Sequence, residues 1–423
     1  MTPKVLVISN ECFSKSSSNG RTLGNFFVGW PKDNLAQFFL SGRPDRDYCE
    51  NYYQESDRQA LNALFRDNNT GGVIHKNQLD YKETDSGLSN KKSKRNALTM
   101  LGRDLVWRLS PWKARGYWAW VKQFNPDIVL LQAGDCAFMY DLAVETSTMT
   151  DAKLIIYNSE GYYFKDYDYF RGRGISHVLY PSFLSNLRKS LKKAYEKSYC
   201  VIYICDELKE EYEKEFSGYA ETVFTGSEVR YEPRENKNSV FTTAYCGNLG
   251  LKRHESLIDI ANQLQVISPN LYVDVYGKSN NPNVINELKN CKGIRFHGFV
   301  SYEEVKRIMK ESDLLLYVES FDSFYQKDIQ FGFSTKIADS LSSGNCFLLY
   351  APEHFACYQY LKNHSAAYTA SDKEQLKSIL MELVNKPESR TRYQINALKL
   401  AKKNHNILKN NEKFQSILCD AVK

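Results

Sequence analysis

The sequence predicts an α/β protein built from two doubly wound domains, and three observations carry that expectation. Short apolar runs alternate with helical patterns along the chain, a polar stretch at 226–239 interrupts the alternation once, and 423 residues exceed what one ordinary core holds. Alternation of this kind means parallel strands covered on both faces, so each strand is apolar throughout and not at every second residue.

Taken in order, the first series of strands is expected at 5–9, 36–40, 128–132, 154–157, 201–205 and 222–225. The second is expected at 242–246, 272–276, 294–297, 314–318 and 347–350. Helices fall between them, for example at 57–65, 187–198, 207–216, 254–266, 302–311 and 373–385, the fifth opened by the capping pair Ser301-x-x-Glu304. These patterns divide the chain into a first domain at 1–226, a linker at 227–239, a second domain at 240–390 and a helical stretch at 391–423. Residues 67–94 are polar and poor in large aliphatics and are expected to be a mobile excursion.

Composition excludes several classes. Hydrophobic residues at 42% and charged residues at 25% describe a globular protein. No apolar run nears the roughly 18 residues of a membrane span, and the first nine residues lack a signal-peptide pattern, so a cytoplasmic location is expected. Ten cysteines without a C-x-x-C read as reduced packing residues, and neither a metal nor a disulfide framework is expected. The acidic pairs Asp45-x-Asp47 and Asp166-x-Asp168 suit a hard cation but are also ordinary turn patterns.

The net charge of +6 is local: 91–122 holds nine Lys or Arg against the single acid Asp104, leaving −2 elsewhere, which argues against a general nucleic-acid binder. The same segment carries Trp107, Trp112, Trp118 and Trp120, four of the five tryptophans. Interleaved rings and cations suit peripheral contact with an anionic membrane, at the inner face of the bilayer; a core-facing helix with a solvated basic side is the favoured alternative, because the strand that follows requires helical cover in an α/β fold.

The most informative stretch is Phe331-Gly332-Phe333-Ser334-Thr335-Lys336-Ile337-Ala338-Asp339-Ser340-Leu341-Ser342-Ser343-Gly344, followed by the apolar Cys346 to Tyr350. It reads as a hydroxyl-capped helix start, a short helix closed by Gly344 and a buried strand. Free N–H groups in the first turn, the helix dipole and the Lys336 charge favour a phosphate there, and Asp339 is placed to accept from ribose hydroxyls. Upstream, Gly247-Asn248-Leu249-Gly250-Leu251-Lys252-Arg253-His254 puts a glycine turn and two cations between a strand and a helix. Tyr276-Gly277-Lys278 and His297-Gly298-Phe299 also fall at strand ends, where open α/β sheets bind ligands. No G-x-G-x-x-G follows the first strand, where Asn19-Gly20-Arg21-Thr22 lies instead, and no P-loop is present, which disfavours a dinucleotide dehydrogenase and a P-loop kinase.

Together these motifs resemble GT-B glycosyltransferases, in particular the large retaining group numbered family four and its bacterial surface-polysaccharide members. Gly247-Asn248-Leu249 falls on that family's glycine turn, with Asn248 in place of arginine, and Arg253 or Lys252 on its cation. Phe331-Gly332-Phe333-Ser334 with Asp339 falls on its paired-glutamate motif, with Phe331 replacing the first glutamate and Lys336 supplying positive charge. The resemblance implies two Rossmann-like domains facing across a cleft, with a C-terminal helix crossing back to the first. It implies transfer of a hexosyl or N-acetylhexosaminyl group from a nucleoside diphosphate sugar, a UDP-sugar being favoured, to a glycan or lipid-linked hydroxyl, with retention and without a further cofactor. It places Gly247, Asn248, Lys252, Arg253, Gly277, Phe299, Ser334, Thr335, Lys336 and Asp339 around the donor, and Asn19, Gly20, Arg21 and Thr22 on the acceptor side. Arg253 and Lys336 are then the groups expected to stabilise the departing diphosphate, and Glu160, after the strand at 154–157, is the carboxylate that orients or deprotonates the acceptor. A sugar-nucleotide epimerase or hydrolase of the same fold, or a noncatalytic partner that kept it, are the alternatives.

Overall fold

The computed structural model describes residues 2–15, 18–65, 71–74, 95–229 and 241–423. The chain forms two compact units, Met1–Val223 with Asn411–Lys423, and Phe224–Asn410. Most of the polar stretch at 227–239 and of the excursion expected at 67–94 lies outside the described residues.

The first unit holds an eight-stranded sheet of β1 (Val5–Glu11), β2 (Leu35–Ser41), β3 (Asn51–Gln54), β4 (Gly72–Val73), β5 (Ile128–Gln132), β6 (Lys153–Asn158), β7 (Cys200–Tyr203) and β8 (Ala220–Thr222). Their order is β4-β3-β2-β1-β5-β6-β7-β8, parallel except for the β3–β4 pair. Strand β1 lies between β2 and β5, with Val5 opposite both Leu35 and Ile128. The order reverses there, which makes it the sheet's switch point. Val5, Val7, Leu130, Ile155 and Ile202 on one face of the sheet pack with Phe26, Phe27 and Trp30. The last turns of the chain complete this core: Phe414 stacks on Phe26 with centroids 4.4 Å apart, and Gln415 Nε2 donates to the Phe26 carbonyl at 2.9 Å.

The second unit holds a six-stranded parallel sheet of β9 (Thr243–Asn248), β10 (Val273–Lys278), β11 (Ile294–Gly298), β12 (Leu314–Val318), β13 (Cys346–Tyr350) and β14 (Tyr368–Ala370), ordered β11-β10-β9-β12-β13-β14. Its switch point lies between β9 and β12, where Thr243 is opposite Leu314. Val273, Val275, Leu314, Leu316 and Leu348 form the core with Leu257, Ile260, Leu264, Leu376 and Leu380 from the covering helices.

Strands β3, β4 and β14 are not marked in the sequence as apolar runs, and the helix Tyr180–Lys197 begins seven residues before the position its periodicity suggests, with Pro181 in its first turn. Of the two readings of the tryptophan-rich stretch, the rings follow the core-facing one. Trp107, Trp112 and Trp120 are buried; Trp112 stacks on Phe38 and Trp107 on Phe138, so these rings cover the sheet and are not free to meet lipid. Lys113 pairs with Glu145, and Arg108 with Asp104 and Asp141. Of the basic cluster, residues 91–94 lie outside the described residues. No helix among the described residues is long and apolar enough to cross a membrane.

Candidate functional sites at the two switch points

In the second unit, the carboxyl ends of β9 and β12 bring together residues far apart in sequence. Arg253 opens the helix Arg253–Ile267 and faces Glu319, the residue after β12. Its Nε donates to Oε2 at 2.7 Å and its Nη2 to Oε1 at 3.0 Å, a two-pronged pair whose carboxylate also accepts from the Tyr317 hydroxyl at 2.7 Å. Burial works against the Arg253 charge, but Glu319 outweighs it and holds the guanidinium protonated, its pKa raised. Glu319 is buried, and Ser256 Oγ donates to its backbone carbonyl at 2.7 Å.

Lys336 stands beside this pair, in the first turn of the helix Thr335–Ser342. Ser334 is the N-cap and accepts from the Lys336 N–H at 3.3 Å, as its place before the helix predicts. The ammonium lies 5.7 Å from the Tyr245 ring centre and 5.9 Å from that of Tyr317 and makes no hydrogen bond within the described residues. Burial, reinforced by the Arg253 charge, pushes its pKa down to about 8. A partly desolvated cation beside a helix N-terminus is an arrangement that suits an anion.

Glycine is required at two strand ends. A Cβ on Gly247 would lie 2.5 Å from Lys336 Nζ, and one on Gly277 would overlap the Gly247 carbonyl. Gly247 thus lets the lysine reach the end of β9. Asn248 accepts from the Gly250 N–H at 2.7 Å and shapes the turn that follows. Phe299 is 71% exposed after Gly298, with Lys278 Nζ 5.1 Å from its ring centre. Thr335 is half-buried in the same first turn as Lys336.

Two residues expected around a donor have partners of their own. Lys252 binds Asp322 at 2.7 Å and Glu255 at 3.4 Å, and of the two candidate cations it is Arg253 whose charge acts on Lys336. Asp339 is buried and accepts from Ser227 Oγ at 2.6 Å and from the Tyr302 hydroxyl at 3.2 Å. Phe333, inside the same motif, packs on Phe224, Tyr360 and His405.

In the first unit, a cavity of about 1010 Å³ opens at the β1–β5 switch point. It is lined by Asn10 and Glu11 from the end of β1, by Gln132 to Cys136 from β5 and the turn after it, and by Ser159, Glu160 and Tyr162 beyond β6. Asn19 and Glu160 are therefore brought together on one cavity, whereas Gly20, Arg21 and Thr22, on the helix Ser18–Asn25, are not among its lining. Two ion pairs furnish its wall: Arg95 with Asp135, which also accepts from the Tyr169 hydroxyl at 2.9 Å, and Arg103 with Asp57 at 2.7 Å. Paired charges of this kind present fixed donors and acceptors side by side, which suits a polyhydroxylated ligand.

The sequence pointed to Lys336, Arg253 and Glu160 but not to Glu319, Asp135 or Arg103. An acid directly after the apolar run 314–318 was the one available signal for Glu319. The acidic pairs act in turns and surface contacts: Asp47 pairs with Lys15, Asp166 with Arg188, and Asp168 accepts from the Phe170 and Gly172 N–H groups. Among the described residues, no group of three or more His, Cys, Asp and Glu is placed to hold a metal ion.

No family model matches the chain, and no curated protein matches its sequence. Solved structures do match it over its whole length. HepE from Anabaena, solved with UDP, aligns with a TM-score of 0.66 at 9% identity over 99% of this chain and 100% of that one. Sucrose-phosphate synthase from Thermosynechococcus elongatus aligns with a TM-score of 0.60 at 10% identity, covering 99% and 98% of the two chains. A glycosyltransferase from Rickettsia africae aligns at 0.59 and 12% identity over the full length of both. Similarity at this level defines the architecture: the chain has the GT-B fold.

Proposed function

We propose that this chain of GT-B fold is a glycosyltransferase, moving a sugar from a nucleoside diphosphate sugar to an acceptor hydroxyl. The observation that carries the reading is the Lys336 ammonium, without a hydrogen-bond partner among the described residues, beside Arg253 at the β9–β12 switch point. Breaking the bond between the anomeric carbon and its phosphate oxygen leaves an anionic diphosphate. The Lys336 ammonium and the positive end of the helix that Ser334 caps are aimed at that charge before it develops, and removing one such electrostatic partner typically costs about 10²- to 10³-fold in rate. Arg253, already neutralised by Glu319, contributes directed N–H groups more than net charge.

A UDP-sugar is the favoured donor, in keeping with the UDP and UDP-glucose complexes of HepE. Phe299, Gly247, Asn248 and Gly277 shape its surroundings, and the cavity that Asn19 and Glu160 line takes the acceptor, a glycan or lipid-linked saccharide of a bacterial surface polysaccharide. In a retaining transfer the donor phosphate accepts the acceptor proton on the face from which it leaves, and Glu160 orients the acceptor hydroxyl. The test is turnover of UDP-sugars by the wild type and by Lys336→Ala. Release of UDP that depends on a saccharide acceptor, with kcat lowered about 10²- to 10³-fold in the variant, is expected. Unchanged turnover in the variant would refute the role of Lys336, and UDP release indifferent to any acceptor would identify a hydrolase instead.

A further inference from the structure

We infer that Glu11, at the end of β1, is a specificity-determining residue of the first unit's cavity: its carboxylate receives two neighbouring hydroxyls of an uncharged acceptor saccharide and turns away a saccharide that carries a carboxylate of its own. This deepens the proposed function, on which it rests only for calling that saccharide the acceptor. Four carboxylates line the cavity, and three of them are engaged. Asp57 accepts from Arg103 Nε and from Trp107 Nε1, each at 2.7 Å. Asp135 pairs with Arg95 and accepts from the Tyr169 hydroxyl, and Glu160 has contacts of its own. Glu11 is the one of the four whose carboxylate makes no hydrogen bond or ion pair among the described residues.

Its backbone, in contrast, is fixed. Glu11 stands opposite Ser41 of β2, and its carbonyl accepts from Ser9 Oγ at 2.8 Å and from Gln37 Nε2 at 3.4 Å. A half-buried acid is thereby held at the carboxyl end of the strand where the sheet order reverses, the place at which open α/β sheets take ligands. Gln132, the last residue of the neighbouring strand β5, and Tyr162 line the same cavity and are half-buried. Their amide and hydroxyl also make no hydrogen bond among the described residues. A carboxylate only accepts, whereas an amide and a phenol both donate and accept. The set therefore needs at least two donors from its ligand and returns donors of its own, which is the pattern of a sugar's hydroxyls.

The helical part of the lining adds apolar surface, with Leu61 from the helix Asp57–Leu64 and Met100 and Val106 from the helix Ala97–Leu109. A pyranose presents both kinds of surface, hydroxyls around its edge and C–H groups on its faces, and so matches a cavity lined in both ways. Charge then sets the selectivity. A ligand carboxylate brought against Glu11 puts two like charges close together in a half-buried cavity, a cost that a neutral ring escapes. Arg58 also lines the cavity, but it is exposed on the helix Asp57–Leu64, where water screens its charge.

Nuclear magnetic resonance titrations of the full chain, with and without UDP, test this with the methyl glycosides of glucose, galactose, mannose and N-acetylglucosamine and with methyl glucuronide. At least one neutral glycoside is expected to bind the wild type more tightly than the glucuronide does. Glu11→Gln should weaken that glycoside about tenfold, as loss of a charge-assisted contact does. Gln132→Ala should weaken it in the same direction and serves as the independent variant should Glu11→Gln fold poorly. Glu11→Gln should also narrow the preference over the glucuronide, a change that a merely structural role for Glu11 does not produce. UDP affinity should be that of the wild type in both variants. No neutral glycoside bound by the wild type, equal glycoside affinities in all three proteins, or a glucuronide that binds the wild type best overturns the inference. Glycoside binding that depends on Glu11 in a chain that does not bind UDP would leave the assignment intact and count against the proposed donor site. UDP binding with glycosides indifferent to Glu11 would do the reverse.

Discussion

A lysine at the edge of a buried pair responds to pH in a way that separates ligand binding from folding. Lys336 has its pKa pushed from 10.5 to about 8 by burial first and by Arg253 second. Because the folded value lies below the ordinary one, the unfolded chain binds more protons between about 8 and 10.5, so this lysine's contribution to stability grows as pH rises through that window. A diphosphate reverses the preference, since it attracts the charged form. UDP affinity is therefore expected to fall as pH rises above about 8, by at most about tenfold per unit, and the dependence should vanish in Lys336→Arg. Calorimetric titrations from pH 7 to 9.5 check this, and a flat profile for the wild type would show that the ammonium does not meet the phosphates. Lys336 was legible in the sequence because a cap, a cation and a closing glycine sit within one short helix. Glu319 was not. Its meaning comes from Arg253, 66 residues away, and only the adjacency of β9 and β12 brings the two together.

Among the elements, the strands that apolar runs announced are those with covered faces. Strands 128–132 and 314–318 are found at the expected bounds because four or five successive buried apolar residues have no other use in an α/β fold. Strand β3 escaped notice because its tyrosines are flanked by Asn51 and Gln54, and β4 because it is two residues long and held by antiparallel pairing. In the tryptophan-rich stretch aromatic and basic residues alternate in the sequence, which left two readings open, and the structure turns Trp107, Trp112 and Trp120 inward while Leu98, Leu105 and Leu109 are exposed. Backbone proximity between β9 and β10 is the element-scale feature most open to test. Gly277 is opposite Gly247, and a methyl group there meets the Gly247 carbonyl. Gly277→Ala is expected to push the two strand ends apart, cost about 1–3 kcal/mol of stability by denaturant titration and abolish most UDP binding. Retention of full UDP affinity would mean that the donor does not approach this edge.

At the scale of the whole molecule, full-length structural similarity persists at 9–12% identity while no family model matches. The physical reason is that hydrophobic patterning, strand-end glycines and helix caps admit many residue choices, so architecture outlasts sequence. That is why the doubly wound organisation of each unit was readable from 423 residues, and why the first unit's cavity was not: it is assembled from the ends of β1, β2 and β5, the segment after β6 and three helices, with ion pairs that no spacing in the sequence connects. Each unit places its distinctive side chains at its own switch point, where sheet topology rather than motif creates the crevice. Function then depends on what binds there. Calorimetric titration of UDP into the full chain and into Lys336→Ala tests this most directly. Saturable one-to-one binding to the wild type, weakened at least about tenfold in the variant, is expected from loss of a charge-assisted contact to phosphate. No binding at all, or the same affinity in both proteins, would contradict a diphosphate site at Lys336.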